Sequence, residues 1–184
     1  NQLEIDKTLI ALDGTPNKNN LGGNLMLGLS LSFTRGLADE RNQELWQILR
    51  EEFFPVAEDE PPKIFSNLIN GGLHARNNLN IQEYLVIVDS KNIEKLKKFY
   101  QELGDFLKNK YKLSEISLGD EGGYSLDFSD NFEPIRILTE QINVLNLGGE
   151  FLLGLDAAAS GFYKDGAYYF EGGELAAREL QEVY

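Results

Sequence analysis

The sequence contains no cysteine, so disulfides and thiolate-held metals are excluded, and a reducing compartment such as the cytoplasm fits. Basic residues are also scarce, with 17 Lys and Arg against 30 acids and a net charge of −13, and they form no stripe. Nucleic acid and anionic membrane are therefore poor partners. There is no apolar run of about 18 residues and nothing resembling a signal peptide, so no membrane span is expected. Internal repeats and low-complexity tracts are absent, and the chain starts at Asn1 rather than at methionine, as a processed chain or a fragment would. What remains is 184 residues with 42% hydrophobic content, enough for one large or two small domains of a soluble globular protein. An acidic protein acting on an anionic substrate needs local cations, which metal ions usually supply.

The stretch from Ile69 to Glu83 organises the chain. It packs Gly71, Gly72, the single His74, the asparagines 70, 77, 78 and 80 and the pair Gln82-Glu83 between two apolar runs. Those runs, Ile64–Asn70 and Tyr84–Val88, read as strands, the second suited to burial on both faces. A polar loop between buried strands is where binding side chains tend to sit, although Asn and Gly also serve plain turn geometry.

Upstream, residues 3–12 suit a short helix ended by Asp13-Gly14-Thr15-Pro16, and 24–37 read as a buried, closely packed helix, or a strand by the alternation from Leu25 to Phe33. A further helix is expected over 42–53. The acidic, proline-rich run from Pro55 to Pro62 makes the best domain boundary, giving units 1–58 and 59–184. Downstream, helices are expected over 92–111 and 132–145, the first using Ile93, Leu96, Tyr100, Leu103, Leu107 and Tyr111 as its apolar face. A buried strand over 151–155 ends at Asp156, a hairpin covers 163–170 with a Lys-Asp-Gly turn, and a helix closes the chain over 174–184. Strand, strand, helix, helix, strand is the start of an α/β architecture.

Candidate chemistry lies where glycines let the chain leave strands: His74, Glu83, Asp120-Glu121 and Asp156. Carboxylates gathered at strand ends suit a hard cation and acid-base work. Each has an ordinary alternative: His74 as a hydrogen-bonding loop residue, Gly119–Gly123 as an exposed turn, Asp156 as a helix cap. Glu83 is odder, because a carboxylate before a buried strand is costly unless paired or functional.

Four segments, Asn70-Gly71-Gly72-Leu73-His74-Ala75, Ile81-Gln82-Glu83-Tyr84, Gly119-Asp120-Glu121-Gly122-Gly123 and Gly154-Leu155-Asp156-Ala157-Ala158-Ala159-Ser160, resemble in order and spacing the signature segments of the enolase family. Leu12-Asp13-Gly14-Thr15-Pro16-Asn17-Lys18 and Leu21-Gly22-Gly23-Asn24 resemble the helical part of its amino-terminal domain. The resemblance implies an α/β fold, an incomplete enolase-type (β/α) barrel beginning β-β-α-α after the helical remainder of an α+β domain. It implies a cytoplasmic glycolytic lyase that interconverts 2-phosphoglycerate and phosphoenolpyruvate with Mg²⁺, and it favours a dimer. By matching motif, Glu121 is the acid that protonates the departing hydroxyl, assisted by Glu83. His74 sits on the loop closing over the phosphate, Gln82 lines the pocket, and Asp156 is a magnesium ligand. Adjacent carboxylates raise one another's pKa, so one can stay protonated near neutrality.

The family's lysine base, its other two metal carboxylates and its phosphate ligands fall beyond the last matched segment, and the opening of its amino-terminal domain is missing. A closed barrel takes roughly 200 residues, and about 120 follow the linker. Gly23 and Gly161 stand where the family usually has alanine and an acid. The expectation is a central enolase portion, inactive alone, that works with the rest of its chain or a complementing segment and exposes apolar strand edges; the alternative is a non-catalytic interaction or scaffold fragment.

Overall fold

The computed structural model describes residues 1–55 and 61–184. It divides into two compact units, Asn1–Glu60 and Pro61–Tyr184. The boundary expected between residues 58 and 59 lies outside the described residues.

The first unit is helical. Helix α1, Gln2–Asp13, opens with the Asn1 side chain accepting from the Glu4 N–H and closes at Gly14 in the left-handed conformation. Helix α2 covers Gly23–Arg41 and α3 covers Leu45–Phe53. Asp13 is buried and its carboxylate accepts the N–H groups of Thr15, Asn20 and Leu21, which shapes the turn between α1 and α2. The expected burial of α2 does not hold: Met26, Thr34 and Ala38 are buried, but Leu25, Leu27 and Leu29 are 52%, 59% and 47% exposed. Within this unit α2 packs on α1 and α3, and two neighbours cover one stripe of a helix that is apolar on several sides.

The second unit starts with a hairpin of β1, Lys63–Asn70, and β2, Glu83–Asp89. Helix α4, Ile93–Tyr111, follows, then the two-residue strands β3, Ser117–Leu118, and β4, Tyr124–Ser125, which the sequence did not suggest. Helix α5, Glu133–Val144, has proline in its first turn, and β5 runs from Phe151 to Asp156. A small sheet of β6, Tyr163–Lys164, β7, Ala167–Phe170, and β8, Gly173–Leu175, precedes α6, Ala177–Val183. The hairpin turn falls at Asp165 and Gly166, both with positive φ. The closing helix begins later than expected because residues 173–175 are held as a strand against β7.

The main sheet has the order β3-β4-β1-β2-β5, antiparallel except where β1 meets β4. It does not close on itself. One face of β2, Tyr84, Val86 and Val88, packs with Leu96, Phe99, Leu103 and Leu107 of α4 and Ile137, Leu138 and Ile142 of α5. Ile93, expected on that face, is 42% exposed, and Phe99 takes its place against Phe151 with ring centroids 5.3 Å apart.

Two expectations about strand burial need correction. β2 is not buried on both faces, since Leu85 and Ile87 alternate with the buried residues and are half-exposed. In β5 only Phe151 is buried, while Leu152, Leu153 and Leu155 are 55%, 36% and 38% exposed. The reason is position: β5 ends the sheet, the helices cover one face, and an apolar groove of about 290 Å³ lined by Tyr84, Ile135, Leu138 and Leu153–Leu155 remains beside it. The register places Glu83 opposite Asp156, Leu85 opposite Gly154 and Ile87 opposite Leu152, so the open face carries both carboxylates. Among the described residues, no helix is long and apolar enough to cross a membrane.

Candidate active site

The site is built at one end of the open face. Glu83 opens β2, paired with Asn70 on one side and Asp156 on the other. The chain between Asn70 and Glu83 turns back through Gly71 and Gly72: the Gly71 N–H donates to the Gln82 carbonyl at 2.8 Å and the Gly72 N–H to that of Leu79 at 3.0 Å. Gly71 must lack a side chain, because a methyl there would stand 2.3 Å from the Ile81 carbonyl oxygen. Gly72 has φ of +54°, which favours glycine.

The asparagines of this loop are mostly structural. Asn77 donates to the Asn70 carbonyl, Asn78 exchanges hydrogen bonds with the Phe128 backbone, and the N–H groups of Asn80 and Ile81 both donate to the buried Asn131 side chain. This is the turn-geometry use of asparagine, and it leaves His74 and the residues at the loop ends to face the site.

Glu121 comes from a tight turn. The Gly122 N–H donates to the Gly119 carbonyl, the Gly119 N–H to that of Gly123, the Asp120 N–H to that of His74 and the Tyr100 hydroxyl to that of Gly122. These bonds fasten the turn to the His74 loop and to α4. His74 Nδ1 then lies 3.5 Å from Glu121 Oε1, and Asn67 Nδ2 donates to Glu121 Oε2 at 3.0 Å. His74, Glu83 and Glu121 each offer a ligand atom within 4.8 Å of the others'. Gln82 lines a neighbouring cleft of about 90 Å³ with Gly72, Leu73, Asn80, Ala158, Gly161 and Phe162. Asp156 lies outside the three-residue cluster, and its Oδ1 accepts from the Ala158 N–H at 3.0 Å.

Charge is shared unequally. Burial, the adjacent Glu121 carboxyl and Asp156 hold Glu83 above the ordinary glutamate range. The hydrogen bond from Asn67 holds Glu121 below it, with help from Glu83 and His74. Instead of raising each other, the two acids divide, Glu83 shifted towards its protonated form and Glu121 towards its charged one. Such a division between neighbouring carboxyls separates acid and base roles.

The sequence of the chain has its parallels in known proteins. The family model described as "Enolase, C-terminal TIM barrel domain" matches residues 61–182, and "Enolase, N-terminal domain" matches residues 1–49. The chain belongs to the enolase family. It is 37% identical over 191 residues to an enolase of Methanocaldococcus jannaschii, 38% over 193 to one of Methanosarcina barkeri and 38% over 189 to one of Ehrlichia canis. Each match covers 100% of this chain and 44% of the relative, so the chain spans less than half the length of the enolases it matches. The open sheet accordingly belongs to a part of an enolase TIM barrel.

Within this enolase segment, sequence reasoning gave no individual site role to Asn67, Asn70 or Tyr100. A signal existed for two of them: Asn67 and Asn70 are the amides within the otherwise apolar end of β1. Tyr100 gave none, since it reads as one more apolar residue on α4.

Proposed function

We propose that this chain supplies the acid side of an enolase active site for the reversible, Mg²⁺-dependent dehydration of 2-phosphoglycerate to phosphoenolpyruvate in the cytoplasm. The convergence of His74, Glu83 and Glu121 beside Asp156 carries the reading. Glu83 is the acid of the pair that favours its protonated form and Glu121 stands within reach of it, so the pair can pass a proton to a departing hydroxyl at Glu121. Asn67 and His74 keep Glu121 aimed at that position. Gln82 and the His74 loop line the cleft where the rest of a small anionic substrate would sit.

The residues fit a hard cation. Glu83 and Asp156 are cross-strand partners at the sheet end, where Asp156 offers the oxygen donors a hard cation takes and its charge is among the causes that raise Glu83. Asp156 would hold the magnesium, which supplies charge stabilisation for a substrate carboxylate that gains negative charge when its neighbouring proton leaves. The proton-abstracting base, on this reading, comes from the remainder of the enolase barrel, whether on the same chain or on a complementing segment.

A second reading, a non-catalytic interaction or scaffold segment, is favoured by the exposed Leu152 and Leu155 of β5. One experiment separates them. The chain is mixed with Mg²⁺ and 2-phosphoglycerate, and phosphoenolpyruvate is followed by ultraviolet absorbance, with and without a polypeptide carrying the rest of an enolase barrel. No turnover is expected alone and turnover is expected on complementation. Robust activity from the chain alone refutes the assignment of the base elsewhere, and no activity in either arm favours the scaffold.

A further inference from the structure

Asn70 is a fully buried residue whose side-chain nitrogen and oxygen both lack a hydrogen-bond partner among the described residues. A buried amide left unpaired costs about 1–3 kcal/mol per group, so a position that needed only volume would be served better by leucine. The surroundings of this amide are specific. A methyl added at Gly119 would lie 2.5 Å from Asn70 Cβ, and one at Gly123 would lie 2.4 Å from Asn70 Oδ1. The two glycines that bracket Glu121 are therefore both shaped by this one side chain. Asn70 is also the cross-strand partner of Glu83, and the chain leaves it directly through Gly71-Gly72 towards His74. One residue thus stands at the root of all three segments that bear the clustered groups.

We infer that Asn70 is a positioning residue: its buried amide seats the Gly119–Gly123 turn so that Glu121 stands within reach of Glu83 and His74. This rests on reading Glu83 and Glu121 as the acid pair of the site. The role is indirect, since Asn70 has no exposure through which to touch a substrate.

The test is Asn70→Ala in the chain carrying ¹³C-labelled glutamate carboxyls, titrated by NMR and melted in parallel. In the unaltered chain the Glu83 carboxyl is expected to titrate in two steps, the second reporting Glu121. In Asn70→Ala the second step is expected to disappear and the Glu83 midpoint to move back towards that of an ordinary glutamate. Ile142→Ala, which opens the core in α5, is expected to lower the melting temperature and leave the Glu83 curve unchanged, a result that a merely structural role for Asn70 would also give. An Asn70→Ala curve identical to the unaltered one overturns the inference. Independent titration of Glu83 and Glu121 in the unaltered chain overturns instead the acid-pair reading beneath it. If Asn70→Ala does not fold, Gly123→Ala approaches the same contact from the turn, and its backbone suits alanine. The same loss of the second step is expected there, and a retained step overturns the inference.

Discussion

Glu83 and Glu133 are both half-buried glutamates at the first residue of a regular element in the same unit, and they are treated in opposite ways. Glu133, at the start of α5, is pushed up by burial but receives the Ser129 N–H at 2.6 Å and stands 3.1 Å from Lys110 Nζ, and the balance holds its carboxyl down at about 2. Glu83, at the start of β2, meets Glu121 and Asp156 and is held up. Where a carboxylate is surrounded by donors, the fold gains stability from its charge. Where it is surrounded by other acids, its charged form is disfavoured and holding it there costs stability, a pattern that functional sites share.

The contrast breaks first at Glu133. Its folded pKa lies below its unfolded value, so its contribution is present above about pH 4.5 and is lost as pH falls towards 2. Glu133→Gln is expected to lose about 2 kcal/mol at pH 7 in urea unfolding. That gap should narrow steadily between pH 5 and pH 2. A gap that stays constant would show that Glu133 acts through shape rather than charge.

Glu83 should respond with the opposite sign. Its folded pKa lies above its unfolded value, so its favourable contribution is present at low pH and is lost as pH rises through the raised midpoint. Glu83→Gln is therefore expected to raise the melting temperature at pH 7, by less than Glu133→Gln lowers it, and to leave it unchanged at pH 4. Calorimetry at the two pH values decides. A neutral-pH loss of stability would mean that Glu83 is a structural carboxylate like Glu133.

What the sequence made legible follows the same division between local and distant causes. The helices over 2–13, 93–111 and 133–144 and the β1–β2 hairpin are set by periodicity and by turn residues close in the chain. His74 and Glu121 were readable as polar residues beside glycine-bearing turns and Glu83 as a carboxylate ahead of a buried strand, and the resemblance to enolase motifs put them in one group. The exposure of β5 was hidden, because Phe151–Leu155 states only a demand for burial and says nothing of which neighbours meet it. The two-residue strands β3 and β4 were hidden for a related reason: they exist by pairing with each other and with β1, at distances no local pattern records. The opposite shifts of Glu83 and Glu121 were equally out of reach, since the first cause lowering Glu121 is Asn67, which lies far from it in sequence and reaches it across the open face.

That bond gives the finest test of the comparison. Asn67 is to Glu121 what Ser129 is to Glu133, a donor that favours the charged carboxylate, but it is a single side-chain amide at the exposed rim rather than a backbone N–H in a helix entry. Removing it should cost little stability, about 0.5–1.5 kcal/mol at most for one hydrogen bond. Its electrostatic effect should be clearer. With the donor gone in Asn67→Ala, the Glu121 midpoint should rise towards that of Glu83, because the first cause of its lowering is lost while the repulsion between the two acids remains. The ¹³C titration of Glu121 reads this directly. A rise would show that a neutral amide on β1 decides which acid keeps the proton, whereas an unmoved midpoint would assign that choice to the 3.5 Å approach of His74.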